Sequence, residues 1–380
     1  MAVSTIGILF FSALAIFYFI VHAGLLLGIQ RLKKNQHGSS QQPFVSVIVA
    51  ARNEEATIGR LLDCLAQQTY SHKKIIIVDD RSTDRTAQII ESYKKKISSL
   101  TCLHITSLSD DFPAKKNALR AAIQSSHGDI LCFTDADCFP PPHWIEELVA
   151  GFHDDVGLVA GYSPYIVDAP FNTLLHRFIS YEELRGGIWA SGSIGINRGW
   201  LCTGRSLAYR RSVYDEVGGF EKIKMSISGD DDMFLQLVRR ETKWKISYVL
   251  SPESFVPTPP PKTFQQFVNQ RKRHFSTGKY LSISQQAFFT CYHGTNLVLF
   301  LTILIAILYP SLLWIGYFGI FKILADALLL FPNFSIFKTK QNFLLMEALY
   351  VLYNTFIGPL GLIASFDWKS GLYNQSAPQK

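Results

Sequence analysis

The six cysteines, Cys64, Cys102, Cys132, Cys138, Cys202 and Cys291, show no paired spacing, which argues against a disulfide framework and against a zinc site. The amino-terminal apolar run lacks the basic start and the small-residue cleavage site of a signal peptide, so a retained anchor is expected. A dominant charge of one sign is also missing. The 37 Lys and Arg against 30 Asp and Glu leave +7, which fits a chain resting on an anionic inner leaflet and gives no footing for a nucleic-acid partner. What the chain has in excess is apolar. Hydrophobic residues make up 48% and aromatics 13% of its 380 residues, more than a purely soluble enzyme of average composition needs, and the excess sits at the two ends.

Residues 6–29 carry no formal charge over about the ~20 residues that span a bilayer. Arg31, Lys33 and Lys34 follow at once and place the next segment on the cytoplasmic side. A second apolar region, 296–330, is too long for one span and reads as a hairpin broken near Tyr309-Pro310 or as two spans of unequal quality. Its second limb carries Lys322 and Asp326, so it is either partly interfacial or packed inside a bundle. Lys338 and Lys340 return the chain to the cytoplasm, and 344–366 is a last apolar stretch. Four membrane segments are expected, with three as the alternative. The expected organisation is an anchor at 1–30, a cytoplasmic domain at 43–280 with interfacial helices, and carboxy-terminal spans at 290–366. An integral protein of the cell inner membrane follows.

The polar middle is large enough to bury its own core. Val45-Ser46-Val47-Ile48-Val49-Ala50 is a strand candidate, and Ile58, Leu61, Leu62 and Leu65 keep a helical period behind it. Ile75-Ile76-Ile77-Val78, nearly all β-branched, reads as a buried parallel strand that stops at Asp79-Asp80. A third strand at 103–105, a helix at 114–125 and a fourth strand at 130–133 continue the alternation, which predicts an α/β parallel sheet. In open sheets of this kind ligands bind beyond the carboxyl ends of the strands. Asp79, Asp80, Asp135 and Asp137 all fall at such ends.

The pair in Thr134-Asp135-Ala136-Asp137 closes the fourth strand, with Cys138-Phe139 and three prolines blocking its continuation. Two carboxylates at a sheet edge can share a divalent cation; alone, the same pair could be a solvated turn.

Ala51-Arg52-Asn53-Glu54, the turn Val78-Asp79-Asp80-Arg81-Ser82-Thr83-Asp84, Lys115-Lys116-Asn117-Ala118-Leu119 and Thr134-Asp135-Ala136-Asp137 closely resemble the nucleotide-sugar-binding half of the family 2 inverting glycosyltransferases. The likeness continues through Thr203-Gly204-Arg205-Ser206, Val217-Gly218-Gly219-Phe220, Gly229-Asp230-Asp231-Asp232 and Gln270-Arg271-Lys272-Arg273-His274. It covers nearly all of the middle segment, with its motifs in order.

The resemblance implies a GT-A fold, a mostly parallel sheet domain that transfers a sugar from a nucleotide diphosphate, here joined to transmembrane α-helices. It implies a UDP-sugar donor, and apolar stripes that would hold the acceptor site near lipid headgroups add the expectation of a lipid-linked or glycan acceptor. The diphosphate must leave as an anion, so a cation is needed to absorb the developing charge. Asp137 is the expected direct ligand of Mg²⁺ or Mn²⁺, with Asp135 contacting the ribose or a metal-bound water. Asp79 resembles the acid that accepts from the uracil imide, Ala50 would lie along the base, and Glu54, Asp80, Lys115 and His274 complete the nucleotide-sugar set. For Asp79 and Asp80 a turn-capping role is the alternative, and for Lys115 and Lys116 a solvated helix start.

Inversion needs a carboxylate to take the acceptor hydroxyl's proton. The family keeps it in a Glu-Asp pair; the register here sets Gly229 on the glutamate and Asp230 on the aspartate, so Asp230 is the expected base with Asp231 beside it. Asp232 reads as a helix-start acid. Gln270, Arg273 and His274 match a Gln-x-x-Arg-Trp motif in which histidine replaces tryptophan. Arg273 would neutralise the departing diphosphate and Gln270 would hold the donor or acceptor end. The apolar stripes Phe264, Phe267, Val268 and Phe275, and Leu174, Leu175, Phe178 and Ile179, suit a membrane surface; for the second stripe the domain core is an equal explanation. A processive polysaccharide synthase is the alternative function, and a catalytically silent membrane scaffold is the alternative outside the enzymes.

Overall fold

The computed structural model describes residues 2–34, 42–107, 109, 111–168, 171–339, 342–363, 366–368 and 371–373. Lys340, expected to help return the chain to the cytoplasm, lies outside the described residues. The chain divides into two units: residues 28–261 form one, and residues 1–27 with 262–378 form most of the other.

Helix α1 (Ala2–Lys34) opens the chain, and its last turns belong to the first unit. That unit then alternates as the sequence predicts. Strand β1 (Val45–Ala51), helix α2 (Ile58–Ala66), β2 (Lys73–Asp80), α3 (Thr86–Tyr93) and β3 (Leu100–Ile105) lead to α4 (Ala114–Gln124) and β4 (Ile130–Phe133). Beyond them lie α5 (Trp144–Ala150), β5 (Val156–Ala160), α6 (Leu174–Gly195), β6 (Leu207–Arg210) and α7 (Arg211–Glu216). Helix α8 (Asp232–Glu241) and β7 (Lys245–Tyr248) complete the unit.

The seven strands form one sheet in the order β3-β2-β1-β4-β6-β5-β7. Strands β3, β2, β1 and β4 run parallel, β6 is antiparallel to both β4 and β5, and β7 is parallel to β5. The sheet is mostly parallel, the GT-A arrangement expected. Its β-branched interior strands are fully buried, and Ile58, Leu61, Leu62 and Leu65 of α2 cover one face of the core.

Several boundaries differ from the sequence reading by one to three residues, β3 beginning at Leu100 instead of 103, and one of them bears on the site. Strand β2 does not stop before the acids but carries Asp79 and Asp80 as its last pairs, opposite His104 and Ile105 of β3. The apolar run ends there, but backbone pairing with the edge strand does not.

Two glycine contacts fix the crossing of α1 and α6 inside this unit. A Cβ on Gly28 would stand 1.9 Å from the Gly192 carbonyl oxygen, and one on Gly195 would stand 2.0 Å from that of Gly28. Backbone meets backbone there. Phe178 and Ile179 of α6 are buried and Leu174 is exposed, so the middle of that stripe belongs to packing rather than to a membrane surface.

The second unit is mainly helical, with a small antiparallel pair of strands, Phe366–Trp368 and Gly371–Tyr373, so the last apolar stretch is not helical as far as Phe366. It holds most of α1, then α9 (Phe264–Phe275), α10 (Ile283–Leu308), α11 (Leu313–Ile336) and α12 (Phe343–Phe356). Among the described residues, four helical segments, Thr5–Lys34, Ile283–Leu308, Pro310–Ile336 and Phe343–Leu362, are long and apolar enough to cross a membrane. The hairpin breaks at Tyr309-Pro310, where a short 3₁₀ turn joins α10 to α11.

Lys322 and Asp326 are packed inside this unit, not at an interface. The Lys322 ammonium lies 2.8 Å from both Asp326 and Glu347, and Asp326 also accepts from Tyr18 at 2.8 Å and faces His22 at 3.0 Å. All five side chains are buried, and they tie α1, α11 and α12 together. In α9, Phe267 is buried against Tyr353 while Phe264 is exposed, so the apolar stripe of that helix is divided between packing and surface.

Candidate active site

The parallel half of the sheet puts its acids at one edge because β1, β2 and β4 all end there. Asp79 and Asp80 close β2, and Thr134-Asp135-Ala136-Asp137 follows β4 directly. The turns after β1 and β2 are stitched together. The Asn53 side-chain oxygen accepts from the Thr83 backbone at 2.8 Å, while the Asn53, Glu54 and Glu55 amides donate to Ser82, Thr86 and Asp84 at 3.0, 2.8 and 3.1 Å. Asn53 and Arg81 both adopt left-handed backbone, with φ of 55° and 56°, a strained conformation held by this network. Glu54 supports that turn, its carboxylate accepting from Thr57 at 3.0 Å, and Ala50 lies just before it at the end of β1.

Asp79 is buried. One of its oxygens lies 3.3 Å from Nδ1 of His104, and its Oδ1 is buried with no hydrogen-bond partner among the described residues. A buried carboxylate oxygen left unmatched is costly, so the geometry suits a donor from a ligand. Asp80 is committed to a bidentate pair with Arg81, at 2.7 and 2.9 Å, which fixes the turn.

The centre of the site is a cleft lined by Lys115, Phe133, Thr134, Asp135, Gly204 and Asp230. The Lys115 ammonium stands 2.9 Å from Asp135 and 2.9 Å from Asp230. Burial pulls this lysine's pKa down, but the carboxylates of Asp135, Asp230 and Asp231 more than reverse that and hold it protonated, above the usual lysine range. Lys115 and Lys116 occupy the first turn of α4, where the helix dipole disfavours cations, so their place there is not explained by helix stability.

Asp135, Asp137 and Cys138 bring two carboxylate oxygens and a sulfur within 4.8 Å of one another. Burial pushes the Cys138 thiol far up, which leaves it protonated and a poor ligand. The two hard oxygen donors fit Mg²⁺ or Mn²⁺.

Asp230 and Asp231 divide their work. Asp230 is nearly buried and faces Lys115. Asp231 caps α8, accepting from the amides of Asp232 and Gly204, each at 2.8 Å. Burial and the neighbouring Asp230 raise the Asp231 pKa, and burial raises that of Asp232 further. The Thr203-Gly204-Arg205 turn is itself pinned, because Thr134 donates to the Arg205 carbonyl at 2.9 Å and the Arg205 guanidinium pairs with Glu183 at 2.7 Å. Glu183 carried no signal in the sequence; only the sheet order brings α6 beside this turn.

Gln270, Arg273 and His274 lie on α9 of the helical unit. There His274 stands between two arginines, with its ring nitrogens 3.2 Å from Arg271 and 3.4 Å from Arg273.

The model of Glycosyl transferase family 2 matches residues 46–218, a stretch that lies within the sheet unit. The chain is 30% identical over 200 residues to the probable glycosyltransferase YdaM of Bacillus subtilis, covering 50% of this chain and 46% of that protein. It is 29% identical over 219 residues to a beta-monoglucosyldiacylglycerol synthase of a Nostoc species, covering 55% of this chain and 44% of that one. The chain thus spans about half the length of these relatives. Among solved structures, a mannosyltransferase from Pyrobaculum calidifontis in complex with GDP-Man and Mn²⁺ is 19% identical, with a TM-score of 0.49 over 90% of this chain and 99% of that one.

Proposed function

We propose that this chain is a membrane-anchored inverting glycosyltransferase that moves a sugar from a UDP-sugar to a lipid-linked acceptor. The observation that carries the reading is the cleft in which one ammonium, that of Lys115, touches both Asp135 of the β4 turn and Asp230 at the start of α8. A metal-type acid motif and a separate candidate base, distant in sequence, converge on one small site.

In this reading Asp230 removes the proton from the acceptor hydroxyl as its oxygen bonds to the anomeric carbon. The bond from that carbon to the diphosphate oxygen breaks on the opposite face, and the nucleoside diphosphate leaves. Asp137 and Asp135 would hold Mg²⁺ or Mn²⁺, which supplies positive charge to the departing diphosphate. Lys115 adds an ammonium to the same anion, and the unmatched Asp79 oxygen accepts from the base. Arg273 and Gln270 are assigned to the diphosphate and the sugar, with His274 as a smaller stacking face than tryptophan. Four helices long enough to span a membrane, and a relative named for a glycolipid product, support a lipid-linked acceptor on the cytoplasmic side of the inner membrane.

UDP release from a panel of UDP-sugars, with native membrane lipid extract as acceptor, tests this. Turnover should need Mn²⁺ or Mg²⁺, stop with chelator, and vanish in Asp137→Ala. Undiminished release by Asp137→Ala would sink the metal assignment, and no release from any donor would favour a silent scaffold.

A further inference from the structure

Lys116 sits next to Lys115 in the first turn of α4 but points elsewhere. Its side chain is completely buried. No carboxylate stands within hydrogen-bonding distance of its ammonium among the described residues. Its three donors go instead to three backbone carbonyls, those of Ile223 at 3.0 Å, Ser228 at 2.8 Å and Ser226. An ammonium has three N–H donors and no acceptor, so this cage satisfies it fully.

All three carbonyls belong to the segment that leads into the acidic turn. Ser228 is followed by Gly229, whose φ of +83° reverses the chain, and a Cβ there would stand 2.6 Å from the Met233 side chain. Asp230 comes next. The segment before the turn is therefore tied to α4 by Lys116, and the side chain after it by Lys115. A cation in the first turn of a helix opposes the dipole, and a buried one gives up its hydration, so both costs are borne where this segment must be held.

We propose that Lys116 is a positioning residue: its caged ammonium fixes residues 223–228 so that Asp230 stands where an acceptor hydroxyl can reach it. The inference rests on the reading of Asp230 as the base. Burial pulls the Lys116 pKa down to about 8, partly offset by Asp230, Asp231 and Asp232 across the turn and reinforced by Lys115 on its own helix. The cage is thus complete below about pH 8 and loses a donor as pH rises through that value.

The test uses the full chain in detergent with three variants, Lys116→Met, Lys116→Arg and Asp230→Asn. Hydrogen exchange of the 223–231 peptide, kcat for UDP release, and the Kd of UDP with Mn²⁺ are measured. Lys116→Met should speed exchange in that peptide, leave β1 protected, lower kcat ~10-fold or more and keep the UDP Kd within about twofold, because orientation at the reacting centre is lost while donor contacts remain. Lys116→Arg should restore part of kcat and carry its alkaline decline from near pH 8 to higher pH, because a guanidinium does not deprotonate there. Wild-type kcat or unchanged exchange in Lys116→Met overturns the inference, as does a loss of UDP affinity equal to the loss of kcat. Should Lys116→Met not fold, an alkaline limb in Lys116→Arg identical to wild type overturns it. Wild-type turnover in Asp230→Asn would instead defeat the base assignment, and the exchange measurement would still decide whether Lys116 holds the segment.

Discussion

Asp230 and Asp79 are the residues whose chemistry depends most on their surroundings. Asp230 shares an ammonium with Asp135, and replacing it by Asn should lower kcat by ~10²–10⁴ with little change in donor KM, as expected when a general base is removed. Measured UDP-release kinetics check the split. Asp79 presents a buried oxygen without a partner among the described residues, so Asp79→Asn should exchange an acceptor for a donor and raise the KM for UDP-sugars ~10-fold, about 1–2 kcal/mol. A KM unchanged for uridine donors would mean that Asp79 serves only its contact with His104. The paired lysines show how far a residue's role depends on its neighbours: one touches two carboxylates, the other three carbonyls, and the sequence offers only two adjacent cations at a helix start.

At the scale of elements, the alternation of β1 to β4 with their helices was legible because β-branched runs and a helical period leave a clear pattern. Strands β5, β6 and β7 were not legible, since each is only four or five residues long and β6 runs antiparallel between two strands that follow the other sense. Their register is set by pairing across the sheet. The crossing of α1 and α6 was equally silent. It depends on Gly28 meeting Gly192 and Gly195, where backbone contact leaves no room for a side chain. Gly195→Val should destabilise the sheet unit by roughly 3 kcal/mol or prevent folding, visible as a lower Tm or loss of monodisperse protein. A Tm unchanged by this substitution would show that the two helices can separate without cost.

For the molecule as a whole, the sheet unit carries the cleft and the helical unit holds most of the helical residues apolar enough to cross a membrane. The buried group of Tyr18, His22, Lys322, Asp326 and Glu347 links α1, α11 and α12 through ion pairs and hydrogen bonds. Removing one partner leaves a buried charge unmatched, so Lys322→Met should cost about 3 kcal/mol or more and lower the Tm in detergent. Replacing Glu347 and Asp326 by Gln and Asn in the same chain should recover part of that loss. If Lys322→Met melts with the wild type, the cluster does not hold the helices.

The sequence by itself determined the likeness to a glycosyltransferase family, the apolar stretches at the two ends, the parallel half of the sheet and the positions of the acids at strand ends, because each is written in local patterns of polarity and residue type. Tertiary structure alone decided which acids share a cation, that Asp231 caps a helix while Asp230 faces the cleft, that Lys116 is enclosed by carbonyls, and that Lys322 and Asp326 are paired inside the helical unit. The physical reason is the same in each case. A charge takes its role from the partners that stand within about 3 Å of it, and those partners come from elements far apart along the chain.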